Sequence, residues 1–235
     1  FNASKTFSWP PSNLTLNWWS KAIANTGVRE ALGWSVIAGV SATLIALTLG
    51  TALAFAVARY EFFGREAISL LVVLPISLPG IITGLALNNA FTQTLGIGTS
   101  AFTIIVGHAT FCIVIVYNNA IARLKRLGTS LQEASMDLGA NGFTTFRLIT
   151  LPNISSALFA GGLLAFGLSF DEIVVTTFTA GPGIQTLPVW IFNNLFRPNQ
   201  APIVNVVAAT LIVISVLPIY LSQRLSSDTS SGGRF

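Results

Sequence analysis

Charge is what this sequence has least of. Only 9% of its 235 residues are Asp, Glu, Lys or Arg, against about 25% in an ordinary soluble domain. So few ionised groups cannot cover a water-facing surface. A single cysteine, Cys112, excludes an intramolecular disulfide, and nothing around it has metal or redox spacing. With one histidine, His108, and neither a His-Glu-x-x-His nor a Gly-x-Ser-x-Gly string, no catalytic residues and no metal ligands can be assigned, which argues against an intramembrane enzyme. The Gly-x-x-x-x-Gly-Lys-Ser/Thr phosphate cradle is also missing, so the chain does not bind ATP by that device. Its twelve basic residues are scattered, which leaves nucleic-acid binding without support.

What the chain has instead is long apolar runs: 52% of residues are hydrophobic and the mean hydropathy is +0.73. A helix needs about 20 mostly apolar residues to cross the hydrocarbon core, so distances between charges measure spans. Uncharged stretches cover 31–58, 67–122, 148–170, 173–196 and 198–223. The second is long enough for two spans, and Leu95-Gly96-Ile97-Gly98-Thr99-Ser100 is turn chemistry, which places spans near 67–93 and 101–122. The 173–196 stretch contains Gly181-Pro182-Gly183 and Leu187-Pro188 and is not expected to be a straight span. The expectation is an all-α, polytopic transmembrane helical bundle with five spans in view.

Arg59, Arg65, Arg123, Lys125, Arg126, Arg147, Arg224 and Arg234 fall on one alternating set of connections, and Lys5, Lys21, Arg29 and Arg197 on the other. The positive-inside rule puts the richer set in the cytoplasm. The N-terminal segment, with Trp9, Trp18 and Trp19, is then outside, and a sixth span is expected before Phe1, the alternative being a cleaved signal peptide. A single transmembrane domain over 1–225 is expected to end in a Ser- and Gly-rich disordered tail over 226–235.

The longest polar connection on the cytoplasmic side runs over 123–152. Ser130 and Glu133 fit a capping box that starts a helix of about two turns, and Gly139 after Leu138 fits its left-handed stop. A helix that short is marginal in water unless it packs on something. Glu133 and Asp137, four apart, repel each other, and Asp137 opposes the helix dipole. The arrangement suits an external, basic surface.

Glu133-Ala134-Ser135, three residues, Gly139, nine residues and Ile149-Thr150-Leu151-Pro152 resemble the cytoplasmic loop signature of ABC importer permeases, departing only at Ser135 where the pattern has Ala. The resemblance implies the type I permease fold and a coupling helix that docks on an ATPase subunit, with Glu133, Ala134, Ser135, Asp137, Leu138, Gly139 and Ala140 as the coupling residues. The alternative is a capped surface helix, which does not explain the downstream spacing. Further strings, His108-Ala-Thr-Phe111, Asp137-Leu-Gly-Ala140 and Ser169-Phe-Asp-Glu-Ile-Val-Val-Thr-Thr-Phe178, resemble the second permease subunit of spermidine/putrescine importers over nearly the whole chain. A different small solute (amino acid, metal or oxyanion) and an ATP-independent carrier are the alternatives. The resemblance implies a multi-pass protein of the bacterial inner membrane, paired with a second, non-identical permease. Two ATP-binding subunits that carry ATP and Mg, and an extracytoplasmic substrate-binding protein, would complete the assembly; this chain would hold no cofactor.

For a polycationic substrate, Asp171 and Glu172 are the candidate path residues, because carboxylates replace water with charge-assisted hydrogen bonds. Adjacent helical residues point about 100° apart, so one of them faces the path. Asp171 is favoured; the alternative is an acidic pair solvating a helix end. Phe170 and Phe178 are candidates for aromatic contact with ammonium groups, against a packing role. Trp190 reads as an interfacial anchor, Pro75 and Pro79 as a kink in their span, and His108 as an interhelical hydrogen-bonding residue.

Overall fold

A computed structural model describes residues 2–4, 10, 13–197 and 199–231, with backbone only at 218, 219, 222 and 224–231. Trp9, Pro198 and 232–235 lie outside the described residues. Among these the secondary structure is helical apart from one isolated bridge, Asn2 to Leu14. The elements are α1 (Asn17–Ala24), α2 (Thr26–Arg59), α3 (Arg65–Ser77), α4 (Gly80–Asn89) with a π-helical turn at Ala90–Thr94, α5 (Ala101–Leu127), α6 (Ser130–Asp137), α7 (Gly142–Thr145) with a π-helical turn at Phe146–Thr150, α8 (Leu151–Phe170), α9 (Val174–Thr179), α10 (Leu187–Asn194) and α11 (Ala201–Ser231).

Among the described residues three helices are long and apolar enough to cross a membrane: α2, α5 and the continuous helix Gly142–Phe170. A fourth arises if the bent pair of α3 with Gly80–Thr94 counts as one span, and Ala201–Leu217 of α11 is a shorter apolar helix. Helices therefore stand at all five expected places, with a lower count of uninterrupted spans. The span expected at 67–93 breaks at Leu78 and Pro79. Leu78 is extended (φ −86°, ψ 146°), as the ring of a following proline requires, whereas Pro75 stays inside α3. The 173–196 stretch is broken into α9 and α10, as its Gly-Pro-Gly dictates. At the other end α11 carries helix through 226–231, part of the expected tail; extending an existing helix costs far less than nucleating one.

The chain divides into two compact units. The first comprises 1–40, 80–108 and 168–217. It holds α9 against α4 and α5, and the side chains that meet there are described below. Trp190 of α10, expected as an interfacial anchor, is buried in this unit; a Cβ on Gly27 would come within 2.9 Å of its Nε1, so the indole occupies space that glycine leaves open. Ser35 Oγ accepts the N–H of Leu187 at 2.8 Å and fixes the start of α10.

The second unit comprises 41–79, 109–167 and 218–235. Its core is Ala54, Val57, Tyr117, Ala120, Leu124 and Ile154. In the part of α2 that belongs to this unit small residues recur every fourth position at Ala42, Ala46, Gly50 and Ala54, and all four are buried. Within this unit a Cβ on Gly50 would lie 3.0 Å from Ile113 O and 3.1 Å from Val116, and one on Gly161 would lie 3.1 Å from Asn119 Cβ. Such stripes let apolar helices approach closely where lipid supplies no hydrophobic driving force. The opposite face of α2, with Val36, Ile37, Val40 and Leu44, is exposed, as a lipid-facing surface is.

Candidate functional site

The connection after α5 is built by its glycines. Gly128 (φ 63°) turns the chain at the end of α5, and α6 starts at once, with Thr129 as N-cap. Thr129 O accepts from Gln132 N (2.9 Å) and Glu133 N (3.0 Å). No side-chain cap bond forms, so the capping box expected of Ser130 and Glu133 is corrected. The left-handed turn begins the helix one residue early, which puts Ser130 at the first helical position instead of the cap. Glu133 is consequently exposed, its carboxylate free for an outside partner.

At the other end of α6 the sequence reading holds. Gly139 (φ 88°) donates to Met136 O (2.9 Å) and Ala140 donates to Ser135 O (3.1 Å). These two bonds are the Schellman pair, which needs a left-handed residue just past the helix. Asn141 then caps α7, its Oδ1 accepting from Thr144 N at 2.8 Å.

Two polar contacts hold α6 to the chain: Gln132 Nε2 donates to Thr150 Oγ1 (2.7 Å), and Ser135 Oγ lies 3.1 Å from Thr145 Oγ1. Ser135, the departure from the family pattern, thus contributes a hydroxyl contact that alanine lacks. No residue of α6 is buried. Its outer surface presents Leu131, Glu133, Ala134, Met136, Asp137 and Leu138, the last 90% exposed, and Phe143 beside it is 73% exposed. Apolar side chains clustered on a polar loop mark an interaction surface.

The acidic segment belongs to the first unit. Glu172 Oε1 accepts from Val175 N (2.8 Å) and so caps the start of α9, while Thr176 Oγ1 donates to Glu172 O (3.0 Å). Asp171 is exposed, with no hydrogen-bond or ion-pair partner among the described residues. The two carboxylates therefore divide: one closes a helix end and the other is available. Phe170 is 2% exposed and packs inside its unit. Phe178 is half-buried on α9, where a Cβ on Gly84 would come within 2.6 Å of its ring.

Beneath this segment lies a polar cluster that the sequence indicated only through His108. The imidazole is fully buried, with Nδ1 2.7 Å from Ser169 Oγ and Nε2 2.8 Å from Thr176 Oγ1. Thr103 Oγ1 donates to Thr179 O (2.7 Å), and Asn88 Nδ2 donates to Phe178 O (2.5 Å). Four hydrogen bonds thus hold the end of α8 and the short α9 against α4 and α5. His108→Leu should deprive two buried hydroxyls of their imidazole contact and destabilise this unit by roughly 1–3 kcal/mol. Thermal unfolding of the detergent-purified protein checks it; an unchanged midpoint would show the cluster carries no stability.

Among the described residues no group of His, Cys, Asp or Glu is disposed to hold a metal ion. Apolar helices of membrane-crossing length, a broken helix tied by buried hydroxyls and an exposed polar loop with apolar side chains define a helical membrane protein with a surface for a partner. The chain belongs to the family of binding-protein-dependent transport system inner membrane components, whose model matches residues 46–230. It is a permease subunit of an ABC importer, with ATP hydrolysis in a separate subunit. It is 32% identical over 233 residues to the spermidine/putrescine transport system permease protein PotC of Escherichia coli K12, covering 99% of this chain and 87% of that one. It is 33% identical to the putrescine transport system permease protein PotI of the same organism, covering 95% and 83%. In structure it is similar to a chain of the inward-facing MetNI methionine ABC transporter, with a TM-score of 0.66 at 18% identity, covering 90% of this chain and 97% of that one. At that identity the likeness concerns the fold alone.

Proposed function

We propose that the substrate is a polyamine of the putrescine or spermidine kind and that α6 docks on the ATPase subunit that powers its import. The observation that carries the substrate is the near-full-length identity to PotC and PotI, and the exposed carboxylate of Asp171 suits a polycation. Docking is supported by the exposed surface around Leu138, Asp137 and Glu133, on a helix too short to stand without a partner. The working assembly is this chain with a second, non-identical permease, two ATP-binding subunits that hold ATP and Mg, and an extracytoplasmic binding protein. Residues 1–225 act as one permease domain, with 123–152 as its coupling loop. The family match, unbroken from 46 to 230, supports that unity.

The test is uptake and ATPase activity of the reconstituted complex across polyamines, amino acids and anions. Putrescine or spermidine should stimulate both. Stimulation by none of the polyamines would overturn the substrate and leave the family membership intact.

A further inference from the structure

The end of α2 grips the chain on both sides of α6. Arg59, the last residue of α2, donates from Nη2 to Gly128 O at 2.7 Å and to Leu124 O at 3.3 Å. These carbonyls stand at the C-terminal end of α5, where backbone acceptors lack helical partners and a cation meets the negative end of the dipole. Gly128 is also the joint, in left-handed conformation, between α5 and the cap of α6. Phe55 lies four residues before Arg59, on the same helical face. Its ring meets that of Phe146 edge-on, with centroids 5.2 Å apart and planes at 77°. Phe146 opens the π-helical turn on the far side of α6. One face of α2 therefore holds the chain just before α6 through a charged donor, and the chain that follows α7 through an aromatic pair.

Between those two points α6 is held by two polar contacts, Gln132 to Thr150 and Ser135 to Thr145. It buries no residue, and a crevice lined by Arg59, Gly128, Leu131, Gln132, Thr150 and Asn153 runs beneath its first turn. The ground under Arg59 is firm, because Ala54 and Val57 of α2 pack with Leu124 and Ile154 in the core of the unit. The chain entering α6 at Gly128 and the chain beyond α7 at Phe146 are both fastened to α2.

We propose that the end of α2, through Arg59 and Phe55, is the yoke by which movement of α6 enters the membrane helices, and that Arg59 is a positioning residue for coupling. The proposal rests on the reading of α6 as the ATPase contact. Removing the yoke should leave α6 able to dock while its motion no longer moves α2. ATP is then hydrolysed with little transport.

The experiment uses the complete complex in proteoliposomes with labelled putrescine, and reads three quantities: ATPase subunit co-purified per permease, ATP hydrolysed, and putrescine moved per ATP. Arg59→Gln should retain the ATPase subunit at wild-type stoichiometry and lower putrescine per ATP about tenfold. Arg59→Lys, which keeps the charge, should recover part of that ratio, and Phe55→Leu should lower it about threefold. A wild-type ratio in Arg59→Gln overturns the proposal. If Arg59→Gln fails to assemble, wild-type ratios in both Arg59→Lys and Phe55→Leu overturn it equally. Leu138→Glu, on the outer surface of α6, separates the underlying reading: unchanged ATPase binding and uptake in that variant would refute docking at α6.

Discussion

Gly139→Pro should reduce ATP-driven uptake about a hundredfold while the protein still inserts in the membrane. The residue sits at φ 88° and its N–H donates to Met136 O. Proline fixes φ near −65° and has no N–H, so it denies both the conformation and the bond, at a cost of ~3 kcal/mol or more. Each 1.4 kcal/mol is about a factor of ten in population, and α6, with eight residues and none buried, has no packing energy to offset the loss. Gly139→Ala provides the graded control. A Cβ there would meet nothing within 4 Å, so its penalty is conformational alone, ~1–2 kcal/mol for a left-handed residue, and uptake should fall by about tenfold. Vesicle uptake normalised to inserted protein measures both. Normal transport in Gly139→Pro would show that the geometry of α6 does not matter to coupling.

The stop of α6 was legible because it rests on one residue type: only glycine takes that backbone conformation cheaply, and it stands where the helix runs out. The start of α6 was not. The Ser130 and Glu133 pattern is genuine, but Gly128 adopts φ 63° and Thr129 becomes the N-cap, at a turn whose Gly128 carbonyl accepts from Arg59, 69 residues away in sequence. This changes the meaning of Glu133. Since its carboxylate does not cap its own helix, reversing the charges of Glu133 and Asp137 breaks no hydrogen bond of the helix start and acts on the surface presented outward.

The membrane helices show the same division. Charge gaps and prolines located the helices, and the sequence could not tell a kink at Pro75 from a break at Pro79; the extended Leu78 decides that. The stripe of Ala42, Ala46, Gly50 and Ala54 was available as a packing signal in α2. Trp190 went the other way, since a large aromatic suits a membrane interface as well as a core. Only the neighbours brought by the fold, Gly27 beside it, assign it to packing.

Asp171→Asn should raise KM for putrescine and spermidine by roughly ten- to a hundredfold with a smaller effect on maximal rate, because a hydrogen bond to a charged group contributes about 1.5–3 kcal/mol. Glu172→Gln is its counterpart. Glu172 Oε1 serves the start of α9 by accepting from Val175 N, and glutamine keeps a carbonyl oxygen for that bond, so KM should change little. Glu172→Leu removes the acceptor and should destabilise α9 by about 1 kcal/mol, seen as a lowered unfolding temperature. The two amides differ from the native acids in charge and scarcely in shape, so the comparison isolates which carboxylate the substrate meets. Raised KM in Glu172→Gln with none in Asp171→Asn would reverse the assignment, and unchanged KM in both would remove this segment from the substrate path. Higher ionic strength should raise the wild-type KM and narrow its difference from Asp171→Asn, since an exposed carboxylate is screened within about 8–10 Å at physiological salt.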